Sequence, residues 1–314
     1  WAPDVDRVDL VLAGRSLTLE RNGDCHAAFV TGIGAGDGYN FRVGDHLLAD
    51  PYALAIDRPY GGALPRCLVT ALPDPLAQAP PCFTPGGLIY ELNVRGFTML
   101  HPDVPEADRG RVTALADPAV IAHLRRLGVA AVELMPIVAW VDERHLHALG
   151  LTNSWGYNPV TFMPIDPRLG TLADLRATVA ALHAEGIGVI LDLVFNHSGE
   201  SDVHGQTLSF RGLAESHYFR HAPDGSLVND TGCGNTIDCD QPMVRRMVLD
   251  TLRHFVCYAG IDGFRFDLAP VLGDALVRVF AEWKVEFEFL GQCQQLLGRV
   301  LDICVDAHQD DPLA

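Results

Sequence analysis

The pentapeptide Gly263-Phe264-Arg265-Phe266-Asp267 sets a guanidinium and a carboxylate two residues apart between aromatic side chains. In a β-strand, residues i and i+2 share a face, so Arg265 and Asp267 point one way while Phe264 and Phe266 point the other. A guanidinium a few ångströms away favours the ionised carboxylate and can grip it bidentately, as a nucleophile or metal ligand requires. A structural ion pair is the competing reading of any single Arg-x-Asp. A second run, Asp192-Leu193-Val194-Phe195-Asn196-His197, closes another apolar stretch with polar groups. Two apolar strands that both end in charged and hydrogen-bonding residues form a constellation, which a lone ion pair does not.

These strands belong to a repeating rhythm. Leu88 to Thr98, Val129 to Ile137, Gly188 to Phe195 and Ile261 to Leu268 read as strands, and helices are expected near Pro118 to Leu127, Leu172 to Glu185 and Gln241 to Tyr258. Near-continuous apolar strands alternating with helices predict an α/β fold with a parallel sheet covered by helices. No glycine-rich phosphate loop follows any of the strands, which argues against a nucleotide fold and for a (β/α)8 TIM-type barrel, whose active sites sit at the carboxyl ends of the strands. Such a barrel takes about 250 residues. With four strands placed by Leu268 in a chain that ends at Ala314, only about the first half is expected to be present. Upstream, short alternating runs such as Val8 to Leu12 and His26 to Thr31, separated by turn glycines, predict an antiparallel β-sandwich. The expected division is a sandwich over 1–70, a proline-rich linker over 71–87, a half-barrel over 88–270 and a divergent tail over 271–314.

Bulk composition narrows the function classes. The 314 residues carry a formal charge of −17 and are 48% hydrophobic, which describes a globular protein of about two domains that would repel a phosphate backbone. Nucleic acid is therefore not an expected partner, and neither is a membrane, since no apolar run reaches spanning length. No leader is recognised, in a chain that starts at Trp1. Eight cysteines without Cys-x-x-Cys or paired histidines at zinc spacing predict free thiols and a cytoplasmic setting, although Cys233 and Cys239 lie close enough in sequence to bridge. No cofactor and no bound metal are expected. Asp302, Asp306, His308, Asp310 and Asp311 read as a solvated acidic tail.

Asp192-x-Val194-x-Asn196-His197 and Gly263-Phe264-Arg265-x-Asp267 resemble the first and second signature regions of the α-amylase superfamily, glycoside hydrolase family thirteen. Tyr90 to Thr98, Val132 to Pro136 and Asn153-x-Trp155-Gly156-Tyr157-Asn158-Pro159 are similar to bacterial glycogen debranching enzymes and isoamylases. Trp1-Ala2-Pro3 and Ala49-Asp50-Pro51-Tyr52-Ala53 resemble the starch-binding β-sandwich that precedes their barrel. The likeness covers roughly residues 1 to 273 and implies a branched α-glucan, glycogen or limit dextrin, as substrate. It makes Asp267 the nucleophile of a double displacement and Arg265 the group that keeps it ionised and aimed. Asp192 and His197 would bond sugar hydroxyls or brace neighbouring strands, and Tyr157 would give the reacting glucose an aromatic platform. Asn196 joins Tyr157, Asp192 and His197 among the substrate-binding candidates, and falls where many relatives contribute to a structural calcium site, which is not expected here.

The chain also departs from the family. A retaining glycosidase needs a second, protonated carboxyl about 5–5.5 Å from the nucleophile. Glu282 in Ala281-Glu282-Trp283 follows Asp267 by little more than the dozen residues a crossover needs. It matches better a stretch that lies beyond the acid/base glutamate in debranching enzymes. The expectation is an incomplete chain, through a deletion, a frameshift or trimming, with little glycosidase activity alone. A branching enzyme or a trehalose-releasing hydrolase shares both motifs, and a non-catalytic α-glucan binder is the alternative from another class.

Overall fold

A computed structural model describes residues 1–57, 64–77, 79–83, 86–273 and 276 of the chain. The divergent tail, including Glu282, lies outside the described residues apart from its first few positions.

The amino-terminal part is antiparallel. Its strands are β1 (Asp9–Leu12), β2 (Arg15–Thr18), β3 (Glu20–Asn22), β4 (Cys25–Ala27), β5 (Gly38–Val43), β6 (His46–Leu48), β7 (Ile56–Asp57) and β8 (Arg66–Leu68). Six of them form one sheet in the order β2-β1-β5-β8-β7, with β6 paired to β5, while β3 and β4 make a separate hairpin. The run expected as a strand from His26 to Thr31 stops at Ala27. Leu10, Leu12 and Leu48 of the larger sheet share one continuous core with Phe210, Leu213 and Tyr218 of the carboxyl-terminal part. Leu48 rests on Gly212, where an added Cβ would meet its Cδ2 at 2.4 Å. The backbone joins there as well, Ala49 N donating to Leu208 O at 2.7 Å.

The second part alternates strand and helix: β9 (Leu88–Leu92), α1 (Val94–Thr98), α2 (Pro118–Leu127), β10 (Val129–Leu134), α3 (Arg144–Ala148), α4 (Leu172–Ala184), β11 (Gly188–Leu193), α5 (Phe210–Tyr218), α6 (Pro242–Ala259) and β12 (Gly263–Phe266). The four strands are parallel and stand in chain order, β9-β10-β11-β12. Local chemistry sets the bounds. Asp117 accepts from Ala119 N ahead of Pro118 to start α2, Thr171 and Asp174 cap α4 reciprocally, and left-handed Gly128 and Gly260 end α2 and α6. The first strand is shorter than its apolar run predicts, because the Asn93 side chain accepts from Gly96 N at 2.8 Å and turns the chain into α1.

Strand alternation gives the sheet two unlike faces. Val189, Leu191 and Leu193 of β11 join the main core, which includes Leu175, Val179 and Leu182 of α4 and Val244, Val248 and Phe255 of α6. The other face carries Ala131 and Ile190 low down, with Phe83 packed on them. An added Cβ at Gly188 would sit 2.2 Å from Phe83 Cδ1, so the absence of a side chain there admits the ring. The proline-rich segment before β9 is thus tied to the sheet. Leu76 N donates to Cys257 O at 2.7 Å, Arg176 Nη1 to Asp74 O at 2.8 Å and Cys82 N to Asp262 Oδ1 at 2.8 Å.

Cys25, Cys67, Cys82, Cys233 and Cys239 are free thiols. Cys257 departs from that expectation and is disulfide-bonded. Among the described residues no helix is long and apolar enough to cross a membrane.

Because Leu48 is fully buried between the two parts, truncating it removes contacts from both. Leu48→Ala is expected to lower stability by about 2–4 kcal/mol, with far-UV circular dichroism and tryptophan fluorescence still reporting one coincident urea transition.

Candidate active site

The polar residues gather at the carboxyl ends of β11 and β12. Parallel pairing sets Asp192 opposite Arg265 and Leu193 opposite Phe266. The ladder runs one residue further, Asp267 N donating to Leu193 O at 3.0 Å. Leu268 then turns sharply with φ 45°, a conformation a branched residue adopts only under constraint. Asp267 is therefore fixed by backbone at the last position before the chain leaves the sheet.

One nitrogen organises the carboxylates. Arg265 Nη1 lies 2.9 and 3.0 Å from the two oxygens of Asp192 and 3.0 Å from Asp267 Oδ1. The bidentate grip expected on Asp267 is taken by Asp192 instead, because Asp192 lies directly opposite on the neighbouring strand. The second oxygen of Asp267 accepts from Asn196 Nδ2 at 3.0 Å, and the same amide donates to Asp267 O at 2.8 Å. The Asn196 oxygen faces His197 Nδ1, and His197 Nε2 faces Tyr157 O at 2.9 Å. The Asn196 side chain is thus committed on both its atoms, which fits bracing Asp267 and does not fit a metal ligand. The Tyr157 hydroxyl donates to Asp192 Oδ2 at 2.5 Å. Asp192, Asn196 and His197 are buried, whereas Asp267 and Arg265 keep partial exposure.

Burial pushes the Asp192 carboxyl above its ordinary value, opposed by the Tyr157 hydroxyl and by Arg265. Burial alone would lower the Arg265 guanidinium, but the Asp192 and Asp267 charges reverse this and hold it protonated. Burial likewise lowers the His197 imidazole, against the opposing pull of Tyr157 O and the Asp267 charge.

The loop that carries the aromatics is built around Asn153. Its Oδ1 accepts from Trp155 N at 2.8 Å and Gly156 N at 3.0 Å, and its carbonyl accepts from the Trp140 indole at 3.0 Å. Gly156 has φ 87°, and a Cβ there would lie 2.6 Å from Pro136 O, so the position admits only glycine. Trp155 and Tyr157 meet edge to face with centroids 6.4 Å apart, and Trp155 is 66% exposed. A cavity of about 270 Å³ lies beside this loop among Arg109, Trp140, Ser154 and Arg168, and does not include Arg265.

Sequence reasoning gave no separate role to Glu133 and Glu91. They pair in register on β10 and β9, and Glu133 is 3% exposed. Glu91, Glu133 and Asp192 each offer an oxygen within 4.8 Å of the others, a spacing that resembles a metal set. Asp192 is already held by Arg265 and Tyr157, so the triad reads as crowded carboxyls. Burial, followed by the charges of Asp192 and Glu91, pushes the Glu133 carboxyl up to about 7 against the pull of Arg265. A single acid in the buried run Val129-Ala130-Ala131-Val132-Glu133-Leu134 was the signal that pointed to it.

Comparison with known proteins bears directly on this arrangement. Residues 119–232 match the model of the α-amylase catalytic domain. A curated glycogen debranching enzyme of Yersinia enterocolitica is 40% identical over 293 residues, spanning 81% of this chain and 44% of that protein. The middle of the chain thus carries the α-amylase catalytic-domain pattern. A second relative with the same name, from Yersinia pseudotuberculosis, is 39% identical over 92% of this chain and 50% of its own length. The chain thus spans about half the length of the curated relatives it matches. Among solved structures, pullulanase type I from Bacillus subtilis in complex with maltose aligns over 90% of the chain and 42% of its own, with TM-score 0.75 and 26% identity. Pullulanase from Anoxybacillus sp. LM18-11 with maltotetraose aligns over 90% and 45%, with TM-score 0.73 and 26% identity. These matches imply an α/β fold of TIM-barrel type.

Replacing Arg265 by alanine would strand the buried Asp192 carboxylate with Tyr157 alone. Since the Arg265 side chain is 36% exposed, the expected loss at pH 7 is about 2–4 kcal/mol, the range of about 3–5 kcal/mol for broken buried pairs reduced for solvent screening. In the variant the Asp192 carboxyl is raised by burial without relief, so its penalty is present above the ordinary carboxylate range and fades as pH falls and the group takes a proton. Urea midpoints of the two chains should therefore converge from pH 7 to pH 5.

Proposed function

We propose that the chain carries the nucleophile side of a retaining α-1,6-glucosidase that cleaves branch linkages of glycogen or limit dextrin. The observation that supports this most is the immobilisation of Asp267: one oxygen on Arg265, the other on Asn196, at the carboxyl end of a parallel strand. In this reading an Asp267 oxygen attacks the anomeric carbon while the bond to the branch oxygen breaks. The leaving oxygen takes a proton from a general acid, and water then releases the sugar from the glycosyl-enzyme. Arg265 and Asn196 hold the attacking carboxylate, Tyr157 and Trp155 offer stacking faces for glucose rings, and Asp192 and His197 brace the strand ends.

The same reading takes 88–270 as the first half of a (β/α)8 barrel and the antiparallel sheet within 1–70 as a glucan-binding β-sandwich domain. The names of the relatives, glycogen debranching enzyme and pullulanase, fit an α-1,6-linked substrate, and a neutral polysaccharide suits a chain of charge −17. No general acid has been assigned among the described residues, and the loss of such a group typically costs about 10²–10⁴ in rate. This chain alone is therefore expected to be a feeble hydrolase. A second reading, an α-glucan-binding protein without turnover, is favoured by the exposed Trp155 at the edge of Tyr157.

The test is incubation with limit dextrin beside an Asp267→Asn variant, with retention on immobilised glycogen measured in parallel. Release of linear oligosaccharides that drops at least about 10³-fold in the variant, with retention unchanged, supports the glucosidase. Retention without release by either chain supports the binder, and new branches formed on amylose would exclude debranching.

A further inference from the structure

We propose that Glu133 is a positioning residue for Asp267, acting as an uncharged carboxylic acid whose ionisation draws Arg265 toward β10 and β11 and away from the nucleophile. This rests on the reading of Asp267 given above. Glu133 sits on the face of the sheet that bears Asp192 and Arg265, low enough to be buried and close enough that its oxygen lies within 4.8 Å of oxygens of Asp192 and Glu91. Among the described residues no hydrogen bond or ion pair is formed by its carboxyl, so only the charge of Arg265 favours an ionised form there, against burial and the neighbouring carboxylates.

The groups that face it are Glu91 from β9, Asp192 from β11 and Arg265 from β12, with Tyr157 and Asp267 beyond Asp192. If all four carboxyls were ionised, a single guanidinium would serve four negative charges. Arg265 spends one nitrogen on both of its partners. Of the two, Asp192 is buried and anchored by Tyr157 as well, whereas Asp267 takes a single bond from Arg265 at a partly exposed position. A negative charge on Glu133 strengthens the pull on the Asp192 side, and the bond to Asp267 is the one that yields. Protonated Glu133 adds no such pull and leaves Arg265 shared. The titration of Glu133, raised into the neutral range by its surroundings, thereby sets how firmly the nucleophile is held.

The experiment follows the carboxyl carbon of Glu133 and the guanidinium nitrogens of Arg265 by NMR in the full chain from pH 4 to pH 9. Rates on limit dextrin are measured across the same range, for the native chain and for Glu133→Gln. The expected result is a Glu133 step near pH 7 that the Arg265 signals share. That Arg265 step vanishes in the glutamine variant. The kcat of the native chain should fall about tenfold per pH unit above the midpoint, with KM unchanged, and the variant should lack that limb. A Glu133 midpoint in the ordinary carboxylate range overturns the proposal, and so does an Arg265 step that survives in Glu133→Gln. Both readouts on the native chain need no variant to fold. Shared titration in a chain that hydrolyses nothing at any pH would leave the linkage standing and remove the glucosidase reading instead.

Discussion

The arrangement depends on one nitrogen of Arg265 that bonds carboxylates from two sources, Asp192 on the adjacent strand and Asp267 two residues along its own. This is possible only in the register that sets Asp192 opposite Arg265. A slip of one residue would turn Asp192 to the helix side and bring Leu191 or Leu193 to the guanidinium. The hydrophobic pattern of β11 forbids the slip, since Val189, Leu191 and Leu193 are buried in the main core. Core and site therefore specify the same alignment. The helices α4 and α6, whose apolar residues share that core, fix the site without any of their side chains reaching it.

Along the inner face each strand passes from apolar to polar in the direction of the chain. Phe83 fills the lower layer against Ala131 and Ile190, above the gap left by Gly188. Glu133 stands level with Ile190 and Glu91, and Asp192, paired with Arg265, lies two residues further along, with Asp267 beyond. Burial does not follow height alone, since Glu133 and Asp192 are both buried while Glu91, level with Glu133, is exposed. Glu133 is raised chiefly by burial and then by its acidic neighbours. Asp192, more deeply committed, is opposed by a hydroxyl and a guanidinium. What separates the Glu133 carboxyl from the ion-paired Asp192 is the set of partners that strand register gives each of them.

Much of this was legible in the sequence because strands covered by helices show as continuous apolar runs, and polar residues at their ends stand out against them. The parallel strands and the three longer helices fall where those runs and caps place them. What periodicity could not give was the early stop of β9, decided by one Asn93 side chain that bonds Gly96 N. Nor could it show that the proline-rich segment is fastened to α6 at Leu76 and to Asp262, just ahead of β12, at Cys82. In the site, the pairing of Arg265 with Asp267 was readable from i and i+2, but the stronger claim of Asp192 on the same nitrogen is a property of the neighbouring strand. Asn196 illustrates the same limit: the sequence places it among the substrate-binding candidates, while the fold turns its amide onto Asp267 and its oxygen onto His197.

The charge balance of the inner face also explains why a neutral ligand suits it. Arg265 is already shared between two carboxylates and has little positive field to offer an anion. A cation would compete with Arg265 for those same carboxylates and loosen the hold on Asp267. A sugar ring does neither: it needs stacking surface, which Trp155 and Tyr157 present edge to face, and hydroxyl partners, which a partly exposed carboxylate can supply. The aromatic loop reaches the charged cluster through the Tyr157 hydroxyl on Asp192, so a ligand that moves the Tyr157 ring also moves the hydroxyl that anchors the other carboxylate of Arg265. In the proposed reading, stacking on the Tyr157 loop and alignment of Asp267 are joined through Asp192 and Arg265.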